Sequence, residues 1–355
     1  MTQPSPYAPD TMIVLEVASP AFAHAEPRIM NSGLIPPEAA NAMWATFRRG
    51  PFGESTVRFH LFRDVFVIGE GLVFDHALEL VPLSRTQHTD GEIEEHRQTL
   101  RAALASANLP EDPGTTLLCQ KRGMENYGHW MVELLPLAFL AMEHLKQGDW
   151  SLLAPDTPGA MGAVIRESLD LLGIPPTQRR FSSGAPRRLD AVILADGLTD
   201  HGCMMSPLVM RCMDALSADI LPDLAPNIWV NRERDHRRFM NERELVAVLA
   251  AAGWRVLHPG AMTLRRQIAA FKAGRHIAGV AGAGLTNIAF AASGARITNF
   301  VPATMPDTFF WFLSTLRGHD YHEVRSPQGP GVYPADWDAA LVMSLPQILA
   351  HLGAP

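Results

Sequence analysis

The feature that most constrains this chain is the regular alternation of short apolar strands with helices of about ten residues between positions 228 and 324. Apolar runs at 228–230, 255–257, 276–280, 296–301 and 321–324 read as strands. Between them, Glu242 to Ala252, Thr263 to Ala273, Leu285 to Ala292 and Asp307 to Leu316 read as helices. Their punctuation is consistent: Gly253 ends the first, Thr263 stands as an N-cap with Gly274 just past the end, and Ser293-Gly294 stops the third. A chain that alternates in this way folds as a parallel sheet wound by right-handed crossovers, the α/β class.

The first half is less regular. Strands are expected at 57–62 and 65–68, with Arg63-Asp64 as a turn between them, and at 72–74, 116–119, 151–153 and 191–195. Helices are expected over 92–107, 128–146 and 160–172, the first opened by acidic residues as the helix dipole favours. A connecting helix over 207–221, followed by the turn Pro222 to Pro226, suggests a boundary. A length of 355 residues agrees with about two domains, expected at 1–205 and 206–355. The proline- and glycine-rich stretch 326–334 reads as a loop leading to a last helix that begins near Asp336.

Composition excludes several classes. Hydrophobic residues form 47% of the chain and charged residues 19%, enough to build two cores and too apolar for global disorder. A net charge of −7 leaves no basic footprint for nucleic acid. The three cysteines form no disulfide framework and no C-x-x-C pair, which fits a reducing cytoplasm. Met1 to Asp10 lacks the pattern of a secretory signal. No apolar run approaches the roughly 18 residues of a membrane span. The expected location is therefore cytoplasmic, with peripheral membrane association left open.

Three segments carry chemistry. Gly279-Val-Ala-Gly282-Ala283-Gly284-Leu285-Thr286-Asn287 joins a strand to a helix, where small residues let backbone N–H groups approach a phosphate. As a dinucleotide fingerprint it is incomplete, because Asn287 holds the place of the third glycine and Asn299 stands where the ribose-binding acid belongs. A ligand-free tight turn is the plain alternative. Asn231-Arg232-Glu-Arg-Asp-His-Arg237-Arg238 follows the strand at 228, and its guanidinium groups suit a pyrophosphate unless the loop is merely solvated. Asn126-Tyr127-Gly-His129-Trp130-Met-Val-Glu133-Leu-Leu-Pro136 places His129 and Glu133 one helical turn apart, suited to a general base and its orienter. The plain alternative there is a helix N-terminus with ordinary polar residues. No His-x-x-x-His, P-loop or nucleophile elbow occurs, and Asp336-Trp-Asp338 reads as helix capping rather than a metal site.

In their order and spacing these segments resemble glycosyltransferase family 61, which includes bacterial capsular-polysaccharide transferases and eukaryotic O-linked N-acetylglucosamine and xylose transferases. The resemblance rests on 126–136, on Asn231-Arg232 with Arg237 and Asn241-Glu242, on 282–287, and on Ser293-Gly-Ala-Arg-Ile297. Phe62 to Gly69 is also similar to the family's entry strands, so the likeness spans about 57–325. Three positions depart from it: Ala281 where relatives commonly carry histidine, Asn299 where they often carry an acid, and Asn231 where they often carry serine.

The resemblance implies a GT-B-like fold of two Rossmann-like domains facing across a cleft. It implies inverting, metal-independent transfer of one sugar from a nucleotide-diphosphate donor, such as a UDP-sugar, to a glycan or lipid-linked acceptor, with no further cofactor. Arg232, Arg237 and the turn Gly282 to Asn287 (Ala283, Gly284, Leu285 and Thr286 included) would hold the donor. Asn126, Tyr127 and Trp130 would face the acceptor, and the base would be Glu133, the first choice because a carboxylate remains a usable base, or else His129 with Glu133 orienting it. Two alternatives are a non-catalytic nucleotide- or sugar-binding subunit of a polysaccharide assembly system and a nicotinamide-dependent nucleotide-sugar oxidoreductase.

Overall fold

The computed structural model describes residues 12–106, 109–232, 237–330 and 335–354. It is a mixed α/β architecture with two separate main sheets in two compact units, Met1–Pro20 with Glu54–Thr199, and Ala21–Gly53 with Asp200–Pro355. Among the described residues no helix is long and apolar enough to cross a membrane.

The first unit is built on a seven-stranded mixed sheet. Its longest strand, Ser55–Ile68, pairs antiparallel with Met12–Ser19, Leu72–Phe74 and Arg187–Asp196. The turn expected at Arg63-Asp64 is absent. Asp64 takes a left-handed conformation (φ 53°), which Asp tolerates better than most residues, and the strand continues without a shift of register. Its carboxylate is held by Arg188 Nε at 2.8 Å and His76 Nε2 at 2.6 Å. Side chains alternate between two cores: Val65 and Val67 meet Leu118, Leu153 and Val192, while Phe66 and Ile68 meet Ile93 and Leu100 of the helix Asp90–Ser106. Glu111–Leu118, Trp150–Pro155 and Arg179–Ser182 run parallel, so their carboxyl ends share one edge.

The second unit carries a six-stranded, wholly parallel sheet. Across it lie Arg255–Leu257, Asn227–Val230, His276–Val280, Arg296–Pro302, Asp320–Ser326 and Arg28–Met30. The first five follow the order 2-1-3-4-5 of flavodoxin-like sheets, whose direction of winding reverses between the first and third strands. The expected strand–helix alternation is thus present, and Thr263 caps its helix by accepting from the Arg266 N–H. The expected helix at 285–292 is instead a 3₁₀ segment, Ala283–Phe290. The last helix runs Leu345–Leu352 behind a Ser344 capping box, and Asp336–Asp338 is a short 3₁₀ turn.

The sixth strand comes from a part of the chain expected in the first domain. Arg28–Met30 pairs with the outer strand Asp320–Ser326, satisfying backbone groups that an open edge would leave exposed. Asn31 Nδ2 adds a hydrogen bond to the Arg325 carbonyl at 3.0 Å. The following helix, Pro37–Phe47, sets Phe47 edge-on against Trp311. Residues 21–53 therefore complete the second unit, although the chain returns to the first at Glu54.

Candidate active site

In the first unit, the site begins where the strand Glu111–Leu118 ends. Cys119 N–H still donates to Leu153, and Gln120 Nε2 donates to the Ala154 and Ser182 carbonyls, which ties three parallel strands at their carboxyl ends. Two tight turns follow, Met124 N–H to Lys121 O and Asn126 N–H to Gly123 O. Asn126 then caps the next helical turn, its Oδ1 accepting from Gly128 N–H at 2.8 Å.

The helix expected over 128–146 is not continuous. It comprises Tyr127–His129, a π-helical turn Trp130–Leu134, Leu135–Leu140 and Met142–Gln147. Pro136 has no N–H to return to the Val132 carbonyl, and the turn before it widens so that Leu135 N–H bonds Trp130 O. Within this turn His129 Nδ1 lies 2.6 Å from Glu133 Oε1. Lys121 Nζ donates to Glu133 Oε2, and both members of that ion pair are buried. An ionised carboxylate only accepts, so Nδ1 carries a proton in this contact. The imidazole edge rests against Gly123 (φ 77°), where a Cβ would stand 3.1 Å from His129 Cδ2.

Of the residues expected to face an acceptor, Asn126 is exposed and Tyr127 half-buried. Trp130 is fully buried, its indole N–H donating to Ser168 Oγ at 2.9 Å. It anchors the helix to the core and cannot touch an acceptor.

In the second unit, both expected donor-binding segments leave the carboxyl ends of the two strands flanking the reversal of winding, Asn227–Val230 and His276–Val280. Ligands of open α/β sheets bind at this place. Arg232 Nη1 donates to the Ala281 carbonyl at 2.6 Å, and Arg237 Nη1 reaches the same oxygen at 3.4 Å. Arg237 Nη2 is also paired with Asp338 Oδ1 at 2.8 Å, so much of its charge is already offset. Asp338 is thus the partner of Arg237 and not a helix cap. Residues 233–236 of the arginine loop and 331–334 of the loop before Asp338 lie outside the described residues.

Gly282, Ala283 and Gly284 are partly exposed. Leu285, Thr286 and Asn287 are buried. Asn287, expected to bind donor, gives its amide to Gln267 Oε1 at 2.9 Å and to Gly284 O at 3.0 Å, locking the 3₁₀ segment. Asn299 is also fully buried, donating to the Tyr321 hydroxyl at 3.0 Å. That hydroxyl donates to Glu323, which pairs with the fully buried Arg325. Asn299 is a core residue and offers nothing to a ribose. Lys121, absent from the expected site, sits in no motif that spacing could have revealed.

What the two sets offer is an oriented imidazole in one unit, and a guanidinium beside partly exposed small-residue backbone in the other. The family model described as Glycosyltransferase 61 matches residues 127–298, which includes both sets apart from Lys121, Gly123, Asn126 and Asp338. No curated protein sequence matches the chain. Among solved structures, the chain is similar to the bacterial iron-containing dodecameric glycosyltransferase TibC from enterotoxigenic E. coli, at 12% identity and a TM-score of 0.30, over 81% of this chain and 84% of that one.

Proposed function

We propose that this chain, whose residues 127–298 match the family model of Glycosyltransferase 61, moves one sugar, with inversion and without a metal, from a nucleoside diphosphate to a glycan or lipid-linked acceptor. The GT-B arrangement and a cytoplasmic location belong to the same proposal. The observation that carries it is the meeting of Arg232 with the Gly282–Gly284 turn at the winding reversal of the parallel sheet. A guanidinium there, beside the first N–H groups of a helical segment, suits a diphosphate.

Either Glu133 or His129 fits the role of base by type, and the hydrogen bonds favour His129. Glu133 already accepts from Lys121 and His129 through its two oxygens. In this reading His129 Nε2 takes the acceptor's hydroxyl proton as that oxygen forms its bond to the anomeric carbon. The bond from that carbon to the diphosphate breaks, and its electron pair leaves with the diphosphate. Arg232 and the backbone donors of the turn meet the charge that develops there, so they act more strongly in the transition state than on bound donor.

The test uses the purified chain with UDP, other nucleoside diphosphates and their sugars. His129→Ala should lower kcat by at least about a hundredfold with nucleotide affinity retained. Arg232→Ala should weaken nucleotide binding by about tenfold or more, as loss of a charge-assisted hydrogen bond does. Full activity in both His129→Ala and Glu133→Gln would refute the assignment of the base. Activity lost in EDTA and restored by a divalent ion would refute metal independence.

A further inference from the structure

The cation beside Glu133 is one of only three lysines in a chain with 27 arginines, and it is buried. Burying an ammonium is costly unless a well-placed anion meets it, so this contact is a fixed feature of the site. The scaffold holds it from both sides. Lys121 follows a strand end pinned by Gln120, and Glu133 lies in the π-turn pinned by Trp130.

The choice of lysine has a geometric consequence. An arginine is a planar fork that grips both oxygens of a carboxylate, whereas an ammonium is a point charge that can settle on one. Here Lys121 takes Oε2 and leaves Oε1 to His129 Nδ1. We infer that Lys121 is a positioning residue for transfer: by holding Oε2 it commits Glu133, through Oε1, to fixing the ring and tautomer of His129. The inference rests on the reading of His129 as the base.

Lys121 touches no reacting atom in this scheme, so its effect should appear in turnover and not in donor binding. Lys121→Met should fold, bind UDP as the parent does, and lose about ten- to hundredfold in kcat with the donor KM little changed, a loss smaller than that of the base itself. Because it acts through Glu133, Lys121→Met combined with Glu133→Gln should be no slower than Glu133→Gln alone. That double variant also carries no uncompensated buried charge, so it serves if Lys121→Met does not fold.

A readout independent of transfer is the hydrogen-bonded Nδ1–H proton resonance of His129, identified by its absence in His129→Ala. It should be present in the parent protein and lost in Lys121→Met. An unchanged resonance in folded Lys121→Met, or additive losses in the double variant, would overturn the role of Lys121. Full transfer by His129→Ala would instead overturn the assignment of the base, leaving the resonance to decide whether Lys121 positions the ring.

Discussion

A methyl group on residue 282 would collide with Arg232 Nη1, inside the guanidinium that bridges the two segments of the proposed donor site. Gly282 is extended there (φ 173°), so backbone strain is not the reason for a glycine. The glycine is needed because Arg232 crosses over it to reach the Ala281 carbonyl. Gly282→Ala should therefore leave the fold intact, since the obstructed group is the mobile end of a long side chain. It should also push Arg232 aside and weaken nucleoside diphosphate binding by about tenfold, comparable to one charge-assisted hydrogen bond. Calorimetric titration with UDP beside a thermal melt checks both halves. Asn287 belongs to a different group: its amide is spent on Gln267 and Gly284, so replacing it would disturb the 3₁₀ segment and not a ligand contact.

At the level of elements, the widened turn Trp130–Leu134 sets how His129 faces Glu133. Turns of this kind are rare and occur often at functional sites. Its cause is visible in the sequence as Pro136, because a missing N–H makes the regular ladder impossible at Val132. Supplying that N–H should let the segment tighten towards an ordinary α-helix, which rotates everything before it relative to everything after. Pro136→Ala is expected to lower kcat by about tenfold or more while the protein stays folded, because a misplacement of about 1 Å at a catalytic group can cost two orders of magnitude. Steady-state kinetics set against the melting temperature would show it, and unchanged kcat would mean that the neighbouring packing, not the proline, widens the turn.

For the whole molecule, stability at mildly acid pH is expected to depend on half-buried histidines of the second unit. Burial brings His276 and His319 down from 6.5 to about 4, with His276 Nε2 against Thr298 Oγ1 and His319 Nε2 donating to Ile288 O. Between those values the unfolded chain binds protons that the folded one refuses, so this contribution is full above about pH 6.5 and declines as pH falls towards 4. Asp307 and Glu323, pushed up by burial, act in the opposite sense: their contribution is greatest in acid and is lost as pH rises. Comparing the parent with His276→Gln/His319→Gln isolates the histidines. The parent should lose more of its melting temperature between about pH 7 and pH 4.5 than the double variant does. Equal losses would show that these two histidines do not govern acid stability.

What the sequence determined by itself was whatever repeats locally. The strand–helix alternation after residue 227, the Thr263 cap, and the turn and arginine loop at strand ends all follow from periodicity and capping chemistry, which act within a few residues. The spacing of His129 and Glu133 is of the same kind, since both ride on one helical segment. Tertiary structure decided what depends on partners distant along the chain. Arg28–Met30 becomes a sheet edge only because Asp320–Ser326 offers one nearly 300 residues later. Asp338 pairs with Arg237, Trp130 is drawn into the core by Ser168, and Asn299 is enclosed by Tyr321. Lys121 meets Glu133 because a strand end and a helix are brought together in space. Local pattern fixes the direction of a side chain about its own element, but its burial and its counter-charge are set by whichever other element the fold packs against it.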